Sequence, residues 1–527
     1  MAQQLSSINL VAPAFKGINT EDSPIAQDPS FAEIADNAVI DKRGRIASRK
    51  GYEVVTTNKG SLSANKPLRS IKQFKKTDET FVVFSVGDNK IFSGTTTLVD
   101  ESASLPQTYN ITDDNWKIVD FNDNLYFFQD GHEPLVYNGT SLQKMSTVAG
   151  GLTGIPFADE VLAAYGRLWA VNLNDSTVYW SDLLIGHEWT GGTSGSIDIS
   201  KVWPDGYDEI VALAAHNGLL IIFGRHSIVV YQGAQAPATM SLVDTVAGVG
   251  CVDRDTVHHT GTDVLFLSHS GLRSFGRTVQ EKSMPMRTLS NTITKDIINE
   301  LQKEALSFRC VYSPEESFYL LSFVGRKTTF CFDLRSPLED GSLRVTRWPS
   351  SVFTAYERLE DGTLYVGTVD GISEYKGYQD NTASYRFKYY SPSLTFGDPS
   401  RLKFIKRIKP TIIGPSNADA FIKYSYDFST TYKTITFRIP EVGQVAEFND
   451  PDNLVANAVV AEFNDPDNPV ANAVFAEYAG ESSQIIRKGL NATGNGSTIV
   501  VGVESDIDGA ELSLQEINIQ ALLGKTV

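Results

Sequence analysis

The sequence predicts an all-β protein. Its larger part is a β-propeller of seven blades, or six if one hairpin belongs to a flanking domain. A second, β-sandwich-like platform domain follows. Three observations predict this. Seven short apolar hairpins have cores beginning at Phe81, Leu125, Leu168, Leu219, Val264, Phe318 and Leu364, in steps of 44, 43, 51, 45, 54 and 46 residues. Self-similarity at roughly 40–50 residues marks a radial array of blades. The hairpin runs are almost continuously apolar, as suits strands covered on both faces by neighbouring blades. From about residue 385 the pattern changes to period-two alternation, which marks half-buried strands.

Residues 1–64 read as a loop-rich arm. Turn formers stand at Ser23-Pro24 and Asp28-Pro29, Phe31–Asn37 fits a short helix, and Ala38–Asp41 and Arg45–Ala47 fit two short strands joined by a turn at Lys42–Gly44. The arm has too little apolar material for a core of its own. It is expected to lie on another domain or on a neighbouring subunit. Residues 65–380 hold the hairpins. Phe81–Phe84, the turn Gly87-Asp88-Asn89 and Lys90–Phe92 set the plan. Leu125–Phe128 with Leu135–Tyr137, Leu219–Phe223 with Ile228–Tyr231, Val264–Leu267 with Leu272–Phe275, and Leu364–Val366 with Ile372–Tyr375 repeat it. A helix interrupts them at Asn291–Leu306, where Ile293, Ile297, Leu301 and Ala305 share a face and Ser290 or Thr292 caps the start.

Residues 381–527 form the platform, with strands expected at Tyr385–Leu394, Leu402–Ile413, Ala420–Ser425, Lys433–Ile439, Ser483–Ile486, Ser497–Val503 and Leu512–Ala521. Inside lies a tandem duplication. Val445–Val459 and Val460–Val474 differ only at Leu454 against Pro469, and a third copy begins at Phe475. Each unit joins a strand of about ten residues to an Asn-Asp-Pro-Asp-Asn turn, so 445–478 is expected to project as a long hairpin or meander. The plain reading is a tolerated insertion at a loop tip. The functional reading is a finger that lines a channel or touches a partner through Glu447, Asp450, Asp452, Glu462, Asp465 and Asp467. The turns lack the glycine and terminal glutamate of an EF-hand loop, which argues against calcium.

The length of 527 residues suits two or three domains. No apolar run reaches the roughly 18 residues of a membrane span, and Met1–Lys16 lacks the pattern of a signal peptide. Cys251, Cys310 and Cys331 make no disulfide framework and read as reduced core residues. Net charge is −17. The basic stripe of a protein that grips nucleic acid is missing. The densest basic stretch (Arg401, Lys403, Lys406, Arg407 and Lys409) alternates with apolar residues and reads as a strand with one solvated face.

No catalytic constellation emerges. The phosphate-binding loop, the nucleophile elbow and the two-histidine zinc spacing are absent. His258 and His259, adjacent on a strand, point to opposite faces and cannot share a metal. Gly186-His187-Glu188-Trp189 is a zinc-like fragment without a partner. Asp182, Asp263, Asp333 and Asp370 lie near blade ends and offer carboxylates for glycosidase chemistry, but no aspartate-box repeat accompanies them. Tyr179-Trp180-Ser181-Asp182 is one copy of a motif that receptor propellers repeat in every blade, and its aromatics read as packing. No enzymatic activity, cofactor or metal is expected.

One set of residues carries a family resemblance. Gly17-Ile18-Asn19, Ser23-Pro24-Ile25, Ala35-Asp36-Asn37-Ala38, Gly44-Arg45-Ile46 and Ser48-Arg49-Lys50-Gly51-Tyr52 resemble the opening of the nozzle, or tail tubular protein B, proteins of short-tailed bacteriophages. Lys50 stands where proline is common in that family. Gly166–Trp169, Val178–Asp182 with Trp189, and Ser270–Phe275 are similar to its blade sequences. The resemblance implies a structural virion protein made in the host cytoplasm and placed in the tail. It would be one of six subunits of a ring at the tail's distal end. Such a ring docks on a tail adaptor protein, carries fibres or spikes, and passes genomic DNA during ejection without binding it specifically. Asn19, Pro24, Asn37, Gly44, Arg49 and Gly51 become candidate assembly and docking residues. Six copies at −17 each carry −102 charges, which would discourage DNA from sticking to the channel wall. The alternative is a carbohydrate-binding or glycan-degrading propeller, an adhesin or depolymerase.

Overall fold

The computed structural model describes residues 5–11, 14–148, 154–172, 176–280, 288–303, 307–414, 418–439 and 484–526. The chain forms two compact units. One is Tyr52–Tyr375; the other joins Met1–Gly51 to Lys376–Val527.

The first unit is the propeller. Blade 1 comprises Ser70–Lys75, Phe81–Gly87, Lys90–Ser93 and Val99–Asp100; blade 2, Lys117–Phe121, Asn124–Phe128, Leu135–Tyr137 and Leu142–Lys144. Blade 3 is Glu160–Ala164, Arg167–Val171, Thr177–Trp180 and Gly195–Asp198; blade 4, Ile210–His216, Leu219–Gly224, Ser227–Gln232 and Ser241–Ala247. Blade 6 is Phe308–Ser313, Phe318–Phe323, Thr328–Asp333 and Arg344–Pro349. Blade 7 is Ala355–Arg358, Leu364–Thr368 and Gly371–Glu374, completed by Glu53–Val54. These six blades contribute four strands each and make a six-blade arrangement, the alternative to the seven that the hairpin spacing favours. Between blades 4 and 6 sits a smaller three-stranded sheet, numbered blade 5 for its place in the order, of His258–His259, Val264–Ser268 and Gly271–Ser274 among the described residues. The first strands of the blades touch in succession round the axis, with the turn Arg254–Thr256 bridging blades 4 and 6.

Local chemistry explains the hairpins. Two-residue turns at Asp88-Asn89, Asn122-Asp123, Tyr165-Gly166 and Asn217-Gly218 all have positive φ. That geometry matches the right-handed twist of the flanking strands and favours Asn, Asp and Gly. The blades then bury both faces. Phe84 and Ile91 of blade 1 pack with Leu125 and Phe127 of blade 2, Trp169 and Trp180 of blade 3 with Leu220 and Val229 of blade 4, and Phe223 with Phe266 at 4.9 Å. Closure is a splice: Val54 and Glu53 pair with Ser373 and Glu374. The chain entering the propeller thus holds its last blade, so 52–64 belongs with the propeller rather than with the arm.

The second unit contains two sheets. One runs Ala38–Ile40, Ile46–Ser48, Ser513–Thr526, Arg401–Gly414 and Gln484–Arg487, with Leu5–Leu10 also on Ser513–Thr526. The other runs Ile34–Asp36, Tyr385–Tyr390, Ile499–Ile507, Asp419–Tyr426 and Lys433–Arg438. Ile405, Ile408, Ile412, Ile517 and Ile519 are buried from the first sheet, and Phe387, Tyr389, Ile422, Val501 and Val503 from the second. The arm is therefore part of this unit's sheets.

Two expectations change. Phe31–Asn37 is not a helix: Ile34–Asp36 pairs with Tyr385–Tyr390, and Asn37 turns the chain with φ 53°. A strand partner that arrives 350 residues later outweighs local propensity. The helix at 291–306 is shorter, a 3₁₀ turn Asn291–Ile293 leading into Thr294–Leu301, with Ile293 and Ile297 buried. A further short helix, Phe275–Gln280, continues the last strand of blade 5.

Candidate functional site

The six arm residues expected at a docking surface occupy different environments. Asn19 is buried. Its Oδ1 accepts from the N–H groups of Glu21 and Asp22 at 3.1 and 3.2 Å, and its Nδ2 donates to Asp22 Oδ2 at 2.7 Å. These bonds hold the turn that leads to Pro24. Pro24 lies in an exposed stretch, residues 20–26, and its carbonyl accepts from Ser393 N–H at 3.1 Å. Gly44, at φ 77°, closes the strand turn by donating to Asp41 O at 3.0 Å.

Asn37, Arg49 and Gly51 form one cluster. Arg49 is 5% exposed. Its Nε donates to Asn37 Oδ1 at 3.0 Å, while Nη1 and Nη2 grip both oxygens of Asp380 at 2.8 and 2.7 Å. Its guanidinium lies 4.2 Å from the centre of the Tyr385 ring, and the Tyr385 hydroxyl donates to the Arg49 carbonyl. Asn37 Nδ2 donates to Arg386 O at 2.8 Å. At Gly51 a Cβ would sit 1.8 Å from the Gln379 carbonyl oxygen, so only glycine fits. The planar, five-donor guanidinium suits this bidentate and stacked site, which lysine would not fill. The arm's most distinctive residues fasten both ends of one unit together. The acidic finger candidates Glu447, Asp450, Asp452, Glu462, Asp465 and Asp467 lie outside the described residues.

The propeller axis carries charges that the sequence reading missed. Lys72 of blade 1 pairs with Glu357 of blade 7 at 3.1 Å, Lys117 of blade 2 with Glu160 of blade 3 at 3.4 Å, and Arg309 of blade 6 with Asp255 at 2.8 Å. Arg309 Nη2 also donates to Asn115 Oδ1 at 2.9 Å, and Arg254 Nη2 to Asn115 O at 2.6 Å. Every one of these side chains stands on a first strand or on the segments joining them. The readable signal was a charge among the apolar residues of five first strands, Ser70–Lys75, Lys117–Phe121, Glu160–Ala164, Phe308–Ser313 and Ala355–Arg358. The Glu357 carboxylate raises the Lys72 pKa. Burial raises that of Glu160, and burial with the neighbouring Asp255 pushes Asp253 up to about 6. At one mouth, Arg69, Asp113, Asp114, Asp253, Asp255 and Arg309 line a pocket of about 430 Å³.

The glycosidase-type carboxylates are tied into the blades. Asp182 accepts from Thr193 N–H and Oγ1 at 2.8 and 2.6 Å, which holds its pKa down. Asp263 accepts from Gly276 N–H at 3.0 Å and from the Ser274 hydroxyl. Asp333 pairs with Arg335 at 2.7 Å and with Arg344, and Asp370 with Lys59 at 3.1 Å. Trp180 packs against Trp169 at 5.7 Å with the rings tilted by 46°, and donates to Thr193 O, a packing role. His259 Nε2 lies 3.0 Å from His216 Nδ1, across the seam between blades 4 and 5. The three cysteines are free thiols. Among the described residues no group of three or more His, Cys, Asp or Glu side chains is placed to hold a metal, and no helix is long and apolar enough to cross a membrane.

No protein-family model matches the chain, and no curated protein matches it. Solved structures with a similar chain course include PorZ, a surface component of the type-IX secretion system of Porphyromonas gingivalis, at 13% identity and TM-score 0.32 over 60% of this chain and 37% of that one. A streptogramin B lyase matches at 10% and 0.34 over 60% and 95%, and the WD40 β-propeller domain of Doa1 at 12% and 0.32 over 62% and 96%. The chain spans little more than a third of PorZ's length.

Proposed function

We propose that this chain is a structural virion protein: a subunit of the nozzle ring at the distal end of a short bacteriophage tail, docking on an adaptor ring, bearing fibres or spikes, and surrounding the path of ejected DNA. The observation that carries the reading is the Asn37–Arg49–Asp380–Gly51 cluster. Three of the residues that resemble the nozzle family's opening, Asn37, Arg49 and Gly51, meet in this cluster. The likeness therefore rests on positions that decide how the fold closes. Ion pairs across the propeller axis support a scaffold role. In this reading the DNA path is the lumen of the ring, because paired charges occupy the propeller axis. The exposed turn at residues 20–26, with Pro24 at its centre, is the part of the arm left to meet an adaptor.

The test adds purified full-length protein to tails that lack their distal ring. A ring at the tail end in negative stain, with no release of sugar from capsule or lipopolysaccharide, is the expected result. A four-residue insertion after Pro24 should abolish attachment and leave folding intact. Failure to bind any tail, together with glycan hydrolysis, would overturn the proposal in favour of a depolymerase. The axis-mouth pocket with Asp253 and Asp255 is the place such chemistry would occupy.

A further inference from the structure

The first sheet of the C-terminal unit buries one face through Ile405, Ile408, Ile412, Ile517 and Ile519. Strand register defines the other face. Arg407 lies opposite Gln520, itself opposite Ser7; Lys409 opposite Asn518, itself opposite Asn9; Thr411 between Glu516 and Arg487. A bulge between Ile405 and Arg407 lets consecutive cations, Lys406 and Arg407, both reach solvent. Beside them Leu5 is 49% and Phe404 37% exposed, and Ile485 on the edge strand 72%. Glu516 is the one carboxylate that the register places on this face among the described residues, and Arg487 already holds it at 2.9 Å. No ion pair reaches Lys406, Arg407 or Lys409 among the described residues. The face is thus basic and partly apolar on a chain of net charge −17.

Charge is divided unevenly along the chain. Residues 52–375, the propeller, hold 26 Lys and Arg against 39 Asp and Glu, a net −13. Residues 1–51 and 376–527 hold 20 against 24, a net −4, and residues 441–483 supply nine of those carboxylates and no Lys or Arg. A basic face repels a copy of itself, so a two-fold, like-to-like dimer through it is disfavoured. A contact between it and a different, acidic surface is heterologous, and repeated head-to-tail contacts close into rings. Assembly of many acidic chains also needs local charge compensation, because like charge opposes close approach.

We propose that this sheet face is a subunit contact, seated against the acidic propeller surface of a second copy of this chain. The proposal rests on the ring reading given above and names one of its interfaces. Leu5 and Phe404 supply the dry centre of the contact, and Lys406, Arg407 and Lys409 its charged rim. The test compares full-length wild type with K406E/R407E/K409E by mass photometry and sedimentation velocity between 50 and 500 mM NaCl. Lys406 and Arg407 are exposed and Lys409 is half-buried, so the melting temperature should hold. The wild type should form a ring whose subunit dissociation constant rises at least about tenfold across that range. The charge-reversed variant should remain monomeric at concentrations where the wild type is assembled, and K406Q/R407Q/K409Q should fall between them. A variant that assembles as the wild type does at every salt overturns this interface and leaves the ring reading standing. So does a face that binds short duplex DNA while its reversal leaves assembly unchanged. A wild type that stays monomeric at every salt, with and without tails, overturns both.

Discussion

The two units handle charge in opposite ways. The propeller is acidic overall yet pairs opposite charges across its axis, so Lys72, Glu357, Lys117, Glu160, Arg309 and Asp255 balance one another in a confined space. Among the described residues the C-terminal unit buries two cations: Arg49 joins the arm to Asp380 and Tyr385, and Lys403 donates to the Ser497 carbonyl at 2.7 Å. Lys406, Arg407 and Lys409 stand together on one sheet face, with no ion pair among the described residues. The difference teaches where each unit leaves charge free to act. Opposite charges confined at an axis have to be paired, and in the proposed ring the open sheet face keeps its charge for a neighbouring copy.

The comparison can be broken at Arg49 first. Arg49→Ala removes a bidentate pair, a hydrogen bond to Asn37 and a stacked ring contact, and leaves Asp380 with an unpaired charge. A loss of about 3–4 kcal/mol is expected, read in calorimetry as a lowered transition of the C-terminal unit with the propeller transition in place. Arg49→Lys should recover less than half of it. Gly51→Ala tests the same junction sterically. A methyl placed against the Gln379 carbonyl forces the backbone to move, at about 2–3 kcal/mol, again in that unit alone.

The propeller should instead respond to pH. Burial, with Lys117, Lys72 and His259 close by, lowers the His258 pKa to about 4, against about 6.5 in an unfolded chain. The folded state therefore keeps His258 neutral. Stability is fully present above about pH 6.5 and is lost as pH falls toward 4, by about 2–3 kcal/mol. In His258→Gln that part of the acid loss should vanish, as measured by urea unfolding at pH 7 and pH 4.5. An unchanged acid slope would mean that other groups control it. The smallest effect is expected at the axis. Glu357→Gln leaves Lys72 without its partner, but Lys72 keeps some access to water (side chain 30% exposed), so about 1–2 kcal/mol should be lost. Hydrogen exchange should speed up in Ser70–Lys75 and Ala355–Arg358 and nowhere in the C-terminal unit.

Much of this was legible because it is local. Hairpin spacing, two-residue turns rich in Asn, Asp and Gly, and apolar runs covered on both faces are properties of short stretches, and they located the blades. The platform strands also followed from alternation. What escaped depended on partners far away in sequence. Phe31–Asn37 reads as helix until Tyr385–Tyr390 supplies a strand beside it. Glu53–Val54 reads as arm until Gly371–Glu374 claims it. The basic face escaped for the same reason: Arg401–Lys409 alone looks like an ordinary solvated strand, and only the register adds Arg487, Leu5 and the neutral strand Asn518–Gln520 beside it. Arg49 was picked out through a family likeness, whereas its contacts with Asp380 and Tyr385 span more than 330 residues.

The most direct measurement is single-particle imaging of the purified full-length protein at low salt. The account predicts a closed ring of copies with a lumen between subunits and filled propeller axes. Solitary particles at every concentration, or a ring whose only passage runs through the propellers themselves, would contradict it.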